Sequence, residues 1–334
     1  MTDLLVFAVV PADRFDPAIL AEGDGLPPGL RAIAAGPLAA VVGAAPEGGL
    51  KGRERSALLP WLLASQKVME RLLANAPVLP VALGTVVEDE GRVRHMLDAG
   101  AAILGEGFQA VGDGIEMNLS VLWHLDTVVA RLLPGVAPEL RQAAAGGDAI
   151  ERQALGVVLA GLVSAERRRA RARVIEALQA VTRDFAIGEP TEPGGVVNLA
   201  LLVDRAAEEA LGAALEALDA EFDGALTFRL VGPLPPYSFA SVQVHLSPAA
   251  AVCGARAALG VEPDASPETV KAAYRRAARE THPDLVPMGG EDEEAPEATA
   301  DETSRFVVLS DAYRVLEGEH APVSLRRLDS VLTE

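Results

Sequence analysis

Pro283 is the residue that most constrains what this chain can fold into. It closes a basic, helix-patterned run, "VKAAYRRAARETHPDLV" (Val270–Val286). The residue before a proline is pushed out of the α region, so the helix must stop at His282-Pro283-Asp284. Its start is equally well marked: Ser266 is a favoured N-cap and Pro267 suits the first helical position. Between these limits Val270, Ala273, Tyr274 and Ala277 recur at i, i+3, i+4 and i+7 and form one apolar face. Lys271, Arg275 and Arg279 follow at steps of four on another face, with Arg276 beside them. A second helix, roughly Thr303 to Leu316, carries Phe306, Leu309, Tyr313 and Leu316 at spacings that suit packing on the first. The pattern predicts an antiparallel helical hairpin with His282, Pro283 and Asp284 exposed at its tip. Taken alone, that tripeptide is also just a helix terminus.

Upstream the pattern is different. "DLLVFAVV" (Asp3–Val10) is a compact apolar run stopped by Pro11, as in a buried strand. "LRAIAAGPLAAVVG" reads as two strands about the Gly36-Pro37 turn, Arg53–Asn75 as a helix, Pro77–Val87 as a strand, and Asp89 to about Leu104 as a helix. Together these describe an α/β domain over residues 1–115. Residues 116–246 begin with the strand-like "EMNLSVLWHLD" and continue into long helices broken at Pro134–Pro138 and Gly146-Gly147. A strand at Val196–Val203, a helix at Arg205–Phe222 and strands at Leu226–Leu230 and Phe239–Leu246 follow. That succession predicts a second, ferredoxin-like α/β domain with a long helical insert. Residues 247–322 are the helical domain, and 323–334 read as a tail. The fold class expected is α+β, two small α/β domains followed by an all-α hairpin.

Composition excludes several roles. The formal net charge is −19 over 334 residues, the opposite of the basic footprint that nucleic acid or anionic lipid requires. The five arginines between Arg167 and Arg173 are expected to be a solvated helix face paired with acidic residues. Cys253 is the single cysteine, so no intrachain disulfide forms and a reducing compartment is indicated. The opening "MTDLLVFAVV" lacks a basic lead and holds Asp3, unlike a signal peptide. Apolar runs such as Gly156–Ala165 are too short to span a membrane. His95 and His124 lack metal-ligand spacing, and no phosphate loop or nucleophile–base pair is evident. No metal, cofactor or enzymatic activity is expected, and the chain should be soluble and cytoplasmic.

Two resemblances give these patterns a direction. "ALGVEPDASPETVKAAYRRAARETHPD" followed by "RFVVLSDAYRVL" resembles a J domain, the module by which DnaJ-type co-chaperones engage DnaK-type chaperones. The matching residues are Leu259-Gly260-Val261, Lys271, Ala273-Tyr274-Arg275, His282-Pro283-Asp284, Phe306, Ala312-Tyr313 and Val315-Leu316. The resemblance implies that His282, Pro283 and Asp284 trigger ATP hydrolysis in the partner. It also implies that Lys271, Arg275, Arg276 and Arg279 meet an acidic surface there. Leu259, Tyr274, Phe306, Leu309, Tyr313 and Leu316 would form the domain's core. Two departures stand out: Ala255–Ala258 replace the usual upstream aromatics, and the connection Leu285–Glu302 is long and strongly acidic.

"VGPLPPYSF" (Val231–Phe239) is the second signal. Read from its residues, it is a rigid, proline-fixed strand entry suited to a sheet edge. It also resembles the GP-x-PPYSF signature of the gas vesicle protein F/L family (GvpF/GvpL). "PVLPVALGTVV", "GIEMNLSVLWHLD" and "VVNLALLVDR" match further segments in order. Ala82-Leu83 and Asn118-Leu119 depart from that family's usual Arg-Phe and lysine. The resemblance implies an accessory or minor structural gas vesicle protein that contacts the hydrophobic shell protein GvpA and other gas vesicle proteins. Gly232, Pro233, Pro235, Pro236, Tyr237, Ser238 and Phe239 would form a partner-binding rim. The two resemblances together imply a gas vesicle assembly factor that recruits a DnaK-type chaperone. A general co-chaperone for another client is the alternative.

Overall fold

The computed structural model describes residues 3–21, 25–27, 29–50, 52–147, 149–190, 192, 194–281 and 300–328. The chain is a mixed α/β protein with antiparallel sheets and a helical C-terminal region, and it divides into two compact units. One comprises Met1–Gln109 with Ser241–Arg326, the other Ala110–Ala240 with Arg327–Glu334.

In the first unit β1 (Leu4–Pro11) is buried over Leu4–Val10, as an apolar run without alternation predicts. Its neighbours are β3 (Leu38–Ala44) on one side and β4 (Leu79–Pro80) on the other, with β2 (Arg31–Ala35) outside β3. A further short strand, β5 (Val86–Val87), also pairs with β1. The helix α1 (Arg55–Asn75) buries Val68, Met69, Leu72 and Leu73. The helix expected from Asp89 to Leu104 is two, α2 (Glu90–Ala99) and α3 (Ala101–Val111), separated at Gly100. Asp89 caps α2, its carboxylate accepting from the Arg92 backbone N–H at 2.9 Å.

The second unit holds a four-stranded antiparallel sheet in the order β7-β8-β6-β9. Its strands are β6 (Gly114–Trp123), β7 (Asp184–Gly188), β8 (Gly195–Asp204) and β9 (Leu226–Leu234). Between β6 and β7 lie α4 (Leu125–Leu132), α5 (Pro138–Gly146) and the long α6 (Ala149–Gln179), while α7 (Glu208–Glu221) joins β8 to β9. The arginine run on α6 behaves as its composition predicts. Arg169 and Arg131 share Glu166, each at 2.7 Å, and Arg173 pairs with Glu221 at 2.9 Å.

Two elements differ from the sequence expectation. The sheet of the second unit includes β7, absent from the sequence expectation, and excludes the segment after Phe239. That segment is β10 (Ser241–Val244), and it pairs antiparallel with β11 (Val323–Arg326), the stretch expected to be a tail. β10 also touches the edge of the first unit's sheet: Val81 bridges Val242 in parallel, and the Ala82 N–H donates to the Val242 carbonyl at 2.9 Å. The physical reason is range. Strand pairing is decided by partners far away in sequence, and nothing local in "SVQV" announces that its partner lies beyond a whole helical domain.

Candidate functional site

Among the described residues, the helical region enclosed by β10 and β11 has three helices, α8 (Ala249–Leu259), α9 (Pro267–Thr281) and α10 (Ala300–His320). Gly260 ends α8 with φ +63°, a left-handed conformation that glycine adopts without steric cost. This explains the glycine of Leu259-Gly260-Val261. Ser266 caps α9, its Oγ accepting from the Thr269 N–H at 3.2 Å, as the sequence predicts. Val252, Ala255, Leu259, Val270, Ala273, Leu309, Ala312 and Leu316 form one buried cluster. Tyr274 and Tyr313 pack against it, their rings stacked at 4.6 Å between centroids. Phe306 is half-buried. The stacked tyrosines supply aromatic packing to this cluster.

The opposite face of α9 carries the charge. Lys271, Arg275, Arg276 and Arg279 are all exposed, and their spacing along α9 forms a basic patch on an otherwise acidic chain. Such a patch steers an acidic partner and orients it more than it adds affinity. His282, Pro283 and Asp284, with the acidic connection through residue 299, lie outside the described residues.

The proline segment of the second unit is built differently. β9 runs to Leu234, with Gly232 and Pro233 exposed and the peptide between them cis. Pro235, Pro236 and Phe239 are buried, and Tyr237 is 42% exposed. A tight turn closes behind them, the Phe239 and Ala240 N–H groups donating to the Pro236 carbonyl at 3.1 and 2.9 Å. What fixes Ser238 is Glu116 of β6, a carboxylate only 2% exposed. It accepts from the Ser238 N–H at 2.7 Å and from the Ser238 hydroxyl at 2.8 Å. Burial pushes the Glu116 carboxyl above its usual value, opposed by the Ser238 and Asn118 hydrogen bonds. The Tyr237 hydroxyl is pushed up to about 12, by burial first and by the nearby Glu116 charge second. Tyr237 is thus partly exposed beside a Ser238 that a buried acid holds in place.

Glu116 was not among the residues singled out from sequence, although a sign was present: an acid in the middle of the apolar run "GIEMNL". Glu319 on α10, 7% exposed, carries no such sign. His95 and His124 have ordinary polar partners, the Glu319 carbonyl at 3.0 Å and the Thr227 hydroxyl at 2.9 Å. Among the described residues no cluster of His, Cys, Asp or Glu is arranged to hold a metal ion, and no helix is long and apolar enough to cross a membrane.

Comparison with known proteins agrees with this architecture. The crystal structure of the gas vesicle protein GvpF from Anabaena sp. PCC7120 superimposes with a TM-score of 0.59 at 19% identity, over 72% of this chain and 98% of that one. GvpF from Microcystis aeruginosa gives 0.55 at 17% identity, over 72% and 99%. Curated proteins yield no match. The fold is therefore of the GvpF class. The family described as "Gas vesicle synthesis protein GvpL/GvpF" matches residues 3–241, and the chain belongs to it. A DnaJ domain matches residues 257–321, so this family member carries a J domain in the same polypeptide.

Proposed function

We propose that the protein is a gas vesicle assembly factor that holds the hydrophobic shell protein GvpA and recruits a DnaK-type chaperone to it. The observation that carries this reading is the presence, in one chain, of a GvpL/GvpF domain over residues 3–241 and a DnaJ domain over 257–321 whose basic α9 face is exposed. A polymerising shell subunit with an apolar face aggregates if that face meets water before assembly. A carrier that also brings an ATP-driven chaperone keeps the subunit available for assembly. In this reading Lys271, Arg275, Arg276 and Arg279 orient the chaperone, and His282-Pro283-Asp284 trigger its ATPase. The proline rim Gly232–Phe239 contacts gas vesicle proteins. The chain itself performs no chemistry and works in the cytoplasm, at the growing vesicle.

The test uses the full chain. His282→Gln is expected to abolish stimulation of DnaK ATPase while leaving the fold and the capture of GvpA unchanged. Stimulation equal to that of the parent protein removes the chaperone half of the proposal. Failure of the immobilised chain to retain GvpA, while it retains unrelated unfolded proteins, removes the gas vesicle half and favours a general co-chaperone.

A further inference from the structure

The helical domain begins after β10 and ends before β11, so it is an insertion within a paired strand couple. Four residue pairs, Ser241–Arg326 through Val244–Val323, form that ladder, and the His245 N–H extends it to the Pro322 carbonyl at 2.8 Å. The two ends of the domain are therefore tied to each other, and β10 is tied in turn to Val81 and Ala82. The approach is close: a Cβ on Gly318 of α10 would fall 2.5 Å from the His245 carbonyl oxygen.

Side chains add a second set of ties. Arg92 of α2 donates to both carboxylate oxygens of Glu319, at 2.5 and 2.6 Å, and to the Ser247 carbonyl at 2.6 Å. His95, one turn along α2, meets the Glu319 carbonyl at 3.0 Å. Glu88 accepts from the Ala249 N–H at 2.8 Å and so caps α8. The guanidinium fork, nearly buried with its acid, is the bidentate arrangement that fixes geometry as well as charge. Burial alone raises the Glu319 carboxyl, but the Arg92 bonds, with His95 and Arg256 nearby, hold it below its usual value. All of these contacts come from α8, the end of α10 and the loops beside them. None uses Lys271, Arg275, Arg276 or Arg279, which remain exposed on α9.

We infer that the J domain is docked in one orientation against α2 and the Val81–Ala82 edge of the N-terminal body, with Arg92–Glu319 as the latch and the basic face of α9 left open. A chaperone that binds that face then stands at a set position relative to the N-terminal body. This consequence rests on the proposed chaperone role, whereas the docking itself rests on the contacts alone.

Distance measurement between paired spin labels tests it in the full chain. Labels are placed at Gln66→Cys on α1 and Asp264→Cys before α9, both exposed positions, in a Cys253→Ser background. The parent is expected to give one narrow distance population. Arg92→Ala strands Glu319 without its partner, so the distribution should broaden and gain a longer component. Arg92→Lys keeps the charge but loses the fork, and gives the same comparison at smaller amplitude if the alanine variant does not fold. Distributions equally broad in parent and variant, or equally narrow, overturn the inference. His282→Gln in the labelled background keeps the narrow population whatever its effect on ATPase stimulation, which separates failure of the docking from failure of the chaperone reading.

Discussion

The helical region Ala249–His320 and the strand end Val231–Phe239 both present residues to solvent, but they hold them by opposite means. In α9 the exposed cations are placed by helix periodicity alone: once Val270 and Ala273 are buried, Lys271 and Arg275 must face outward. Around Tyr237 the exposed ring is placed by a buried carboxylate on another strand, Glu116, whose two bonds to Ser238 bridge 122 positions of sequence. The first arrangement tolerates change on its surface and fails through its core. The second fails when one buried polar atom is removed.

That contrast can be broken at several points. The largest effect is expected from Leu316→Ala. Leu316 is 2% exposed in the helical cluster, and truncation there costs about 2–5 kcal/mol. A denaturation midpoint unchanged from the parent contradicts the cluster. Next comes Glu116→Ala, which leaves the Ser238 N–H and hydroxyl without their acceptor. Leaving such buried groups unpaired costs about 1–3 kcal/mol, and Glu116→Gln, which retains an acceptor, should cost less. The same alanine variant should bring the Tyr237 hydroxyl down from about 12, since the Glu116 charge helps to raise it. Ultraviolet titration reads that change, and an unmoved Tyr237 separates it from Glu116.

A smaller effect attaches to pH. The folded Glu319 carboxyl lies below its ordinary value of 4.5, so its contribution to stability is present above that value. It is lost as pH falls through the depressed folded value. Glu319→Gln should flatten that acid limb of a stability–pH profile, and an unaltered limb assigns the acid sensitivity elsewhere. Ser266→Ala removes the α9 cap for about 1 kcal/mol, measurable as a modest loss of thermal stability. Smallest of all is Lys271→Ala with Arg275→Ala, expected to move stability by no more than about 0.5 kcal/mol. That pair should slow chaperone association and weaken its dependence on salt; an effect on folding instead of association would mean that these residues are structural.

How much was legible in the sequence follows the same division. The Ser266 cap and the packing of Leu309 and Leu316 are local or periodic, and each is visible in the string of residues. β1 was legible because an unbroken apolar run between a polar start and Pro11 has few other uses. The ladder of β10 with β11 was not, because Ser241–Val244 carries no mark of a partner beyond residue 320. Nor was the pairing of Arg92 with Glu319, since each acid and base looks like every other surface charge until the fold removes it from water. The acid inside "GIEMNL" was a visible anomaly, but its partner, Ser238, was not. Sequence therefore showed the exposed residues better than the buried polar ones that hold them.

Aggregation of GvpA in the presence of DnaK-type chaperone and ATP tests the central claim most directly. With the parent protein added, light scattering from GvpA should stay low and depend on ATP. With His282→Gln, GvpA should still be bound but should aggregate. Equal protection by the two proteins, or protection that needs no ATP, contradicts the claim that this chain delivers a gas vesicle protein to a chaperone.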